Sequence, residues 1–504
     1  MNIIDNFLNR ITMYRLVLYY LLVLLGAAGV FGLFGILPYS PADLLFSTLI
    51  ILVSCWASNT LFSRIFGAVP NVESVYITGF ILALIITPVG PTSVTGIGFL
   101  IFASVWAMAS KYIFALGKKH IFNPAAFGVV LSALVIGQSA TWWVAGNYAL
   151  LPFVLLGGLL ITRKIHRFDL VLSFSIVSLA TIALTTSGTS PFTALLQTFS
   201  HSPFFFLALV MLTEPLTMPP IRLLRFIYGA LVGLLFAPNI HLGSFYFSPE
   251  LALLIGNVFA YAVSPKGRFM LTLLEKKEIA AGTYELIFSP DRPLAFRPGQ
   301  YLEWTLAHSP SDARGNRRYF TIASSPTEST VRLGVRVYEP ESTFKRALKD
   351  MKIGDVISVS SLAGDFTLPK KSRKKLVFIA GGIGVTPFRS MVQYLVDTKD
   401  TRPAVLLYSN KMASEIAYRE VFDRAGQEIG LQTLYALTDE PSAVPGTYAG
   451  RLDATIIAKE IPDYKNCTFY ISGPHGMVEA FKSTLIGMGV SRFNIKTDYF
   501  PGFA

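Results

Sequence analysis

The chain has 504 residues, of which only 15% are charged, with a formal net charge of +12 and a mean hydropathy of +0.51. Residues 1–268 hold thirteen Lys and Arg against six Asp and Glu, whereas residues 269–504 hold thirty against twenty-five. The first half is too apolar for a soluble domain, and without a basic run interleaved with aromatics the positive charge does not point to nucleic acid.

Ten apolar stretches follow one another near residues 15–37, 44–63, 72–88, 95–115, 125–141, 147–162, 168–186, 203–217, 221–237 and 248–264. Their lengths lie near the roughly 20 residues that cross hydrocarbon. The expectation is a polytopic α-helical membrane domain of about ten spans over residues 1–264, surrounded by membrane lipid. The first stretch is too long for a signal-peptide core and lacks a small-residue cleavage site. Every basic residue of this half falls at the amino terminus or in alternate connections, and the five intervening loops carry none. That asymmetry predicts a multi-pass protein of the cell membrane with both termini cytoplasmic. Trp142–Trp143 and Phe245–Phe247 are expected at the far interface.

From about Phe269 short alternating strands take over: Tyr284 to Phe288, Tyr301 to Leu306, Val331 to Tyr338 and Val356 to Ser360. Gly and Pro punctuate them, as in a small antiparallel β-barrel over residues 269–370. After the basic linker Lys370 to Lys375 the pattern becomes strand, helix, strand: Leu376 to Ala380, Phe388 to Val396, Ala404 to Tyr408, then Glu415 to Ala425. Residues 371–504 therefore read as a doubly wound α/β domain.

Several motifs sit on this frame. Arg318-Tyr319-Phe320-Thr321 offers a guanidinium fork, an aromatic face and a hydroxyl. Ser342 and Thr343 lie at a strand-to-helix junction, where backbone N–H groups suit a phosphate. Gly364-Asp365-Phe366-Thr367 makes a turn at the end of the barrel. Gly381-Gly382-Ile383-Gly384-Val385-Thr386-Pro387 follows a strand and opens a helix, so that the backbone can approach dinucleotide phosphates. Ser472-Gly473-Pro474-His475-Gly476-Met477 and the terminal Asp498-Tyr499-Phe500 complete the set. In order and spacing these resemble the ferredoxin–NADP reductase superfamily across residues 269–504. The resemblance implies FAD held by residues 318–321, 342–343, 364, 366 and 367. It implies NAD(P)H at Gly381, Gly382, Gly384, Thr386, Pro387, Gly473, Pro474 and Met477. It also places Thr321, Ser472, Asp498 and Phe500 at the reacting rings. Here Phe320 stands where the family usually has Tyr, and Ser472 where it usually has Cys. Ser409-Asn410-Lys411 leaves NADH and NADPH both open.

In the apolar half, three segments resemble the NqrB/RnfD family, membrane proteins of the sodium-translocating NADH:quinone reductase and of the Rnf complex. They are Lys119-His120-Ile121-Phe122-Asn123-Pro124-Ala125, Thr213-Glu214-Pro215-Leu216-Thr217-Met218-Pro219, and Gly256-Asn257. That family carries FMN on a Thr in a far-side loop, and alignment puts Thr193 at the attachment point. The loop departs from the family pattern at Ser187 and at Pro191-Phe192. A phosphoester at Thr193, a flavin held without a bond, and an ordinary loop all stand as readings. Asn123 and Glu214 are either flavin or ion contacts, or a helix cap and an interfacial carboxylate.

Together these readings describe a membrane flavoprotein oxidoreductase that passes electrons from cytosolic NAD(P)H to a quinone or extracytoplasmic acceptor. Two cysteines, Cys55 and Cys467, are too few for an iron–sulfur cluster, which takes about four ligands. No metal is expected, and any iron–sulfur relay would come from a separate partner protein. Ion coupling and oligomeric state stay open. The alternatives are a haem-type ferric reductase or NADPH oxidase, which needs His pairs stacked within spans, and a transporter regulated by its reductase domain.

Overall fold

The computed structural model of the chain describes residues 11–67, 72–116, 119–264, 268–308, 316–339, 341–369, 374–440 and 445–500, together with residues 4, 7, 8 and 312. Asn2–Ser264 and Pro265–Ala504 form two compact units.

The first unit is helical: α1 (Met13–Leu33), α2 (Pro41–Ile65), α3 (Val72–Ile85) and α4 (Val94–Ile113), then α5 (Pro124–Ile136), α6 (Leu151–Ile165) and α7 (Phe168–Thr185). α8 (Pro191–His201) is followed by α9, a single turn over Phe204–Phe206 that widens to π geometry over Leu207–Met211. α10 (Arg222–Phe236) and α11 (Pro249–Val263) complete the unit. Each of the ten apolar stretches contains a helix. Among the described residues, however, only α1, α2, α4 and α7 are long and apolar enough to cross a membrane singly. The pair α8 and α9, bent by 67°, raises the number to at most five. The expectation of ten spans is thus met only in part. Hydropathy summed each helix together with the apolar chain beyond its end. For example, α5 stops at Ile136 because Gly137 turns left-handed with φ 66°.

Trp142 and Trp143 are buried in the unit, 5% and 7% exposed. The ring N–H of Trp143 donates to Ala83 O and Ile86 O, at 3.1 and 3.0 Å, and so satisfies the open carbonyls at the end of α3. Trp142 donates to the buried carboxylate of Glu250 at 2.7 Å.

One arrangement occurs twice in this unit. A two-stranded hairpin, β1 (Ala115–Leu116) with β2 (Lys119–His120), leads into α5, and another, β3 (His241–Leu242) with β4 (Phe245–Tyr246), leads into α11. Both helices open with Pro in their first turn after a side-chain cap. Asn123 Oδ1 accepts from Ala126 N at 3.1 Å, and Ser248 Oγ accepts from Leu251 N at 3.2 Å. The neighbours match as well: α1 with α3, α2 with α4 and α4 with α5 correspond to α6 with α9, α7 with α10 and α10 with α11.

The second unit opens with an antiparallel sheet of β5 (Phe269–Ala280), β6 (Thr283–Pro290), β7 (Tyr301–Thr305), β8 (Arg317–Thr321), β9 (Val331–Arg336) and β10 (Val356–Ala363), in the order β8-β7-β10-β5-β6-β9. Its two edges meet just past β8, where Ala323 N donates to Arg332 O at 2.9 Å. Trp304, Phe288 and Phe344 fill the interior, Phe344 coming from α12 (Thr343–Asp350). Then follow β11 (Leu376–Gly381), α13 (Thr386–Asp397), β12 (Ala404–Asn410), α14 (Arg419–Ile429), β13 (Gln432–Leu437), β14 (Thr447–Ala449), α15 (Ala454–Glu460), β15 (Thr468–Pro474), α16 (His475–Gly487) and β16 (Ile495–Phe500). These strands are parallel, in the order β14-β13-β12-β11-β15-β16. Leu376 and Phe378 pack with α13 and α14, while Val377 and Ile379 pack with α15 and α16. A strand covered on both faces needs this unbroken apolar run. The sheet classes expected from periodicity are both present. The helix expected from Glu415 instead starts at Arg419, because Glu415 lies in a tight turn and Tyr418 takes φ 61°. Of the basic linker, residues 370–373 lie outside the described residues.

Candidate functional site

Strand alternation sorts the Arg318 to Thr321 motif. Arg318 and Phe320 share one face of β8: the guanidinium lies 5.1 Å from the centre of the Phe344 ring, and the Phe320 ring 5.9 Å from it. Phe344 belongs to the first turn of α12, so this face carries Arg318, Phe320 and a helix N-terminus together. Ser342 caps that helix by accepting from Lys345 N at 3.3 Å, and Thr343 Oγ1 accepts from Asp312 N at 3.0 Å. Arg318 also reaches Asp312 Oδ1 at 3.0 Å. Tyr319 points to the opposite face, where its hydroxyl donates to Glu303 at 2.7 Å. Thr321 is buried opposite Tyr301.

The barrel-end turn reaches the α/β domain. Phe366 is buried against Phe388 and Tyr470 of the second domain, at 5.8 and 5.3 Å between ring centres. Thr367 O accepts from Tyr470 Oη and Lys496 Nζ, both at 3.0 Å. These two residues therefore join the barrel to the α/β domain, after a turn in which Gly364 takes φ 119°.

Two motifs about ninety residues apart in sequence meet at the ends of β11 and β15. A Cβ on Gly384 would lie 2.4 Å from Ser472 O and 2.6 Å from Gly473 Cα, and one on Gly381 would lie 2.2 Å from Met477 Sδ. Only glycine permits this approach. Gly382 adds a left-handed turn with φ 50°. Thr386 Oγ1 donates to Ile383 O at 3.1 Å, and Pro387 stands in the first turn of α13. Ser472 is fully buried, and among the described residues its hydroxyl has no hydrogen-bond partner. In parallel register it lies between Ala380 and Asp498. Asp498 keeps part of its surface open, yet burial on its other sides pushes its carboxyl up to about 6. Phe500 pairs with Pro474 along the backbone, and its side chain lies outside the described residues.

Three residues that the motifs did not flag hold this site. Arg389, 5% exposed, donates to Glu328 and to Ala323 O, just past β8. Burial alone would raise the Glu328 carboxyl, but the bonds from Arg389 and Ser325 N hold it below its ordinary value. Tyr418 is buried at the start of α14, with its hydroxyl against Gly334 of the barrel. No local pattern marks these residues, since their partners lie far away in sequence.

In the helical unit, the three motif segments converge. Glu214 Oε2 accepts from Asn123 Nδ2 at 2.8 Å and from Thr217 Oγ1 at 3.3 Å, while Glu214 Oε1 lies 3.2 Å from His120 Nε2. Asn257 Oδ1 accepts from Asn123 N at 2.8 Å, and its Nδ2 donates to Tyr228 Oη at 3.1 Å. One polar network thus ties the start of α5 to the chain beyond α9 and to α10 and α11. Thr193 is exposed in the first turn of α8, its hydroxyl 2.8 Å from Ser190 Oγ.

Residues 270–368 match the oxidoreductase FAD-binding domain family, and residues 378–483 the oxidoreductase NAD-binding domain family. Fold and matches agree on the ferredoxin–NADP reductase-like pair. The second unit is an NAD(P)H-dependent flavin oxidoreductase module. Among relatives, the flavohemoprotein of Oceanobacillus iheyensis is 26% identical over 234 residues, 45% of this chain and 56% of that protein. The phenol hydroxylase P5 protein of Acinetobacter pittii is 25% identical over 240 residues, 46% of this chain and 65% of that protein. The chain spans about half the length of the flavohemoproteins it matches. The flavohem-like FAD/NAD-binding domain of nitric oxide dioxygenase from Vibrio cholerae O1 biovar El Tor is 20% identical. It aligns with a TM-score of 0.42 over 46% of this chain and 98% of that chain.

Proposed function

We propose that the chain is a membrane flavoprotein oxidoreductase, taking reducing equivalents from NADH or NADPH on the cytoplasmic side and delivering them to a quinone or another acceptor at or beyond the far face. Its parts are a helical domain (1–264) with FMN, an FAD domain (269–370) and an NAD(P) domain (371–504). One observation carries the reading: a pair of FAD- and NAD-binding domains is continuous with a unit holding four helices long and apolar enough to cross a membrane.

The residues present fit both nucleotides. Arg318 offers paired donors to a pyrophosphate, Phe320 a flat ring, and the start of α12, with Ser342 and Thr343, further N–H groups. Gly384 has no room for a side chain against the backbone of Ser472 and Gly473, Gly382 takes a left-handed turn, and the Ser472 hydroxyl, without a partner among the described residues, is a buried polar atom that a bound ring could satisfy. Bound FAD supplies uptake of a hydride as an electron pair and release of the electrons singly. Asp498, with its carboxyl near 6, is suited to hold or give up a proton beside Ser472 around neutral pH. Thr321 and Phe500 are assigned to the same ring region.

For the helical domain the resemblance to the NqrB/RnfD family supplies the reading. The exposed Thr193 hydroxyl is reachable for a phosphoester. Asn123 and Glu214 shape the site through their bonds to His120, Ala126 and each other, and the second N–H of Asn123 and the remaining lone pairs of Glu214 keep a flavin or ion contact open. Haem is the second reading, favoured by the likeness to flavohemoproteins. Against it, that design needs His pairs stacked within spans, and here His120 and His241 lie in the hairpin strands β2 and β3, His166 just past α6 and His201 at the last residue of α8.

The test is a cofactor inventory of the purified chain, followed by reconstitution. Flavin absorbance, in-gel fluorescence lost in Thr193→Ala, and NADH-driven reduction of an impermeant dye inside vesicles are expected. A Soret band favours the haem reading. Absence of flavin, or a dye that stays oxidised, sinks the proposal, and a membrane potential during turnover would show ion coupling.

A further inference from the structure

We infer that the nucleotide site of this chain is built for NADH, and that Glu415, paired with Arg336, together with Glu440 turns away the 2′-phosphate of NADPH. The inference rests on the reductase reading above and deepens it.

The sheet order assigns the two ends of the dinucleotide. Ser472 and Asp498 stand on β15 and β16, on one side of the Gly-rich turn that ends β11, and β12 and β13 lie on the other. With the nicotinamide toward β15 and β16, the adenosine ribose falls over the ends of β12 and β13. In doubly wound folds an acidic residue about 20 positions beyond the glycines bonds the ribose 2′-hydroxyl, whereas a nearby Arg accommodates a 2′-phosphate.

Here the ends of β12 and β13 are zipped together: Thr438 N donates to Asn410 O and Asp439 N to Lys411 O, both at 3.0 Å. The loop between Asn410 and Glu415 is pinned by two carboxylates. Glu415 accepts from Lys411 N at 3.2 Å, and Glu440 accepts from Ala413 N at 2.7 Å. Arg336 reaches in from β9 and lies beside the Gly-rich turn, its Nη1 3.7 Å from where a Cβ of Gly382 would be. Both of its terminal nitrogens are bound to Glu415, one at 3.1 Å and the other closer, with the two side chains 14% and 13% exposed. A guanidinium engaged in this bidentate way has its fork already occupied. The cation that a 2′-phosphate would require is neutralised in advance.

The ends of these two strands also carry Lys411, Asp439 and Glu440. A phosphate monoester of about −2 would stand among carboxylates, whereas a hydroxyl could donate to one of them. Lys411, the residue that leaves the question open in sequence, stands between Glu415, which accepts from its N–H, and Asp439, whose N–H bonds its carbonyl.

The experiment is anaerobic stopped-flow reduction of the flavin in the purified full chain, with NADH and NADPH each varied. The ratio of rate constant to dissociation constant should favour NADH by about tenfold or more, the factor that corresponds to 1.4 kcal/mol. Glu415→Gln and, separately, Glu440→Gln should narrow that ratio through the dissociation constant of NADPH, and high salt should narrow it in the unaltered chain. Equal or better use of NADPH overturns the inference, as does a ratio that neither variant moves. Should neither nucleotide reduce the flavin, the reductase reading fails, and calorimetric binding of 5′-AMP against 2′,5′-ADP still decides this one. Tighter 5′-AMP binding supports it and tighter 2′,5′-ADP binding overturns it.

Discussion

Arg389→Met should loosen the joint between the flavin-binding barrel and the α/β domain. Arg389 binds both carboxylate oxygens of Glu328 and donates to Ala323 O at 3.1 Å, and its neighbour Ser390 donates to Ser324 O at 2.6 Å. Helix α13 is thereby fastened to the segment that leaves β8. Removing one partner of a buried ion pair costs about 3–5 kcal/mol. Glu328, 18% exposed, would keep Arg332 Nε at 3.0 Å and Ser325 N at 2.6 Å, which lowers the expectation to about 2–3 kcal/mol. For a unit of this size each kcal/mol moves the midpoint about 2–4 °C, so a fall of about 4–12 °C is expected. Thermal unfolding of the purified chain, followed by release of flavin fluorescence, measures it. The pH adds a check. Glu328 has a folded pKa below its unfolded value of about 4.3, so its contribution is present above that pH and is lost as pH falls through the lower folded value. The gap between the chain and its variant should therefore shrink in acid. A Glu328→Gln variant and the double variant should show a coupling of about 1–3 kcal/mol. A midpoint unchanged in Arg389→Met, or strictly additive variants, would refute this account.

Gly384→Ala would push a methyl group to 2.4 Å from Ser472 O and 2.6 Å from Gly473 Cα, atoms of backbone that cannot turn aside. A cost of about 1–3 kcal/mol and a raised KM for the reduced nicotinamide are expected, with flavin content unchanged; steady-state kinetics and bound flavin measure both. Asp498 has a folded pKa of about 6, above its unfolded value of about 3.9. The folded unit then binds the extra proton between these values, and stability falls as pH rises through that window. Asp498→Asn should melt progressively higher than the unaltered chain from pH 4 to 6 and keep that advantage at neutral pH. Asn257→Ala would leave Asn123 N without its 2.8 Å acceptor at the start of α5. A loss of about 1–3 kcal/mol is expected for the orphaned group, seen as a lower melting point in detergent.

The half with the nucleotide-binding domains was legible where chemistry is local. The turns that need glycine, the strand that needs unbroken Val, Ile and Leu, and the order of the nucleotide motifs are written in neighbouring residues, and each appears in the fold. Phe366 and Thr367 show what a motif leaves out: their partners Phe388, Tyr470 and Lys496 belong to the other domain, and no local pattern names them. The helical half was less legible. Apolar composition marked ten helical places but not their lengths, because Gly137 at the end of α5 and the Trp143 ring at the end of α3 stop helices inside apolar chain. The repeated arrangement of its two parts left no plain trace in sequence, since helix packing accepts many apolar residues of similar volume.

From residues alone, then, came the class of each half, the nucleotide motifs and the likeness of Asn123, Glu214 and Asn257 to one family. Periodicity, turn chemistry and charge are properties of short windows. Only the tertiary structure decided that those three residues share one hydrogen-bond network, that Trp142 is bound to Glu250 inside the protein, and that Arg336 is already claimed by Glu415. Each of those facts joins groups that the chain holds far apart, and a buried polar atom takes whichever partner the packing brings to it.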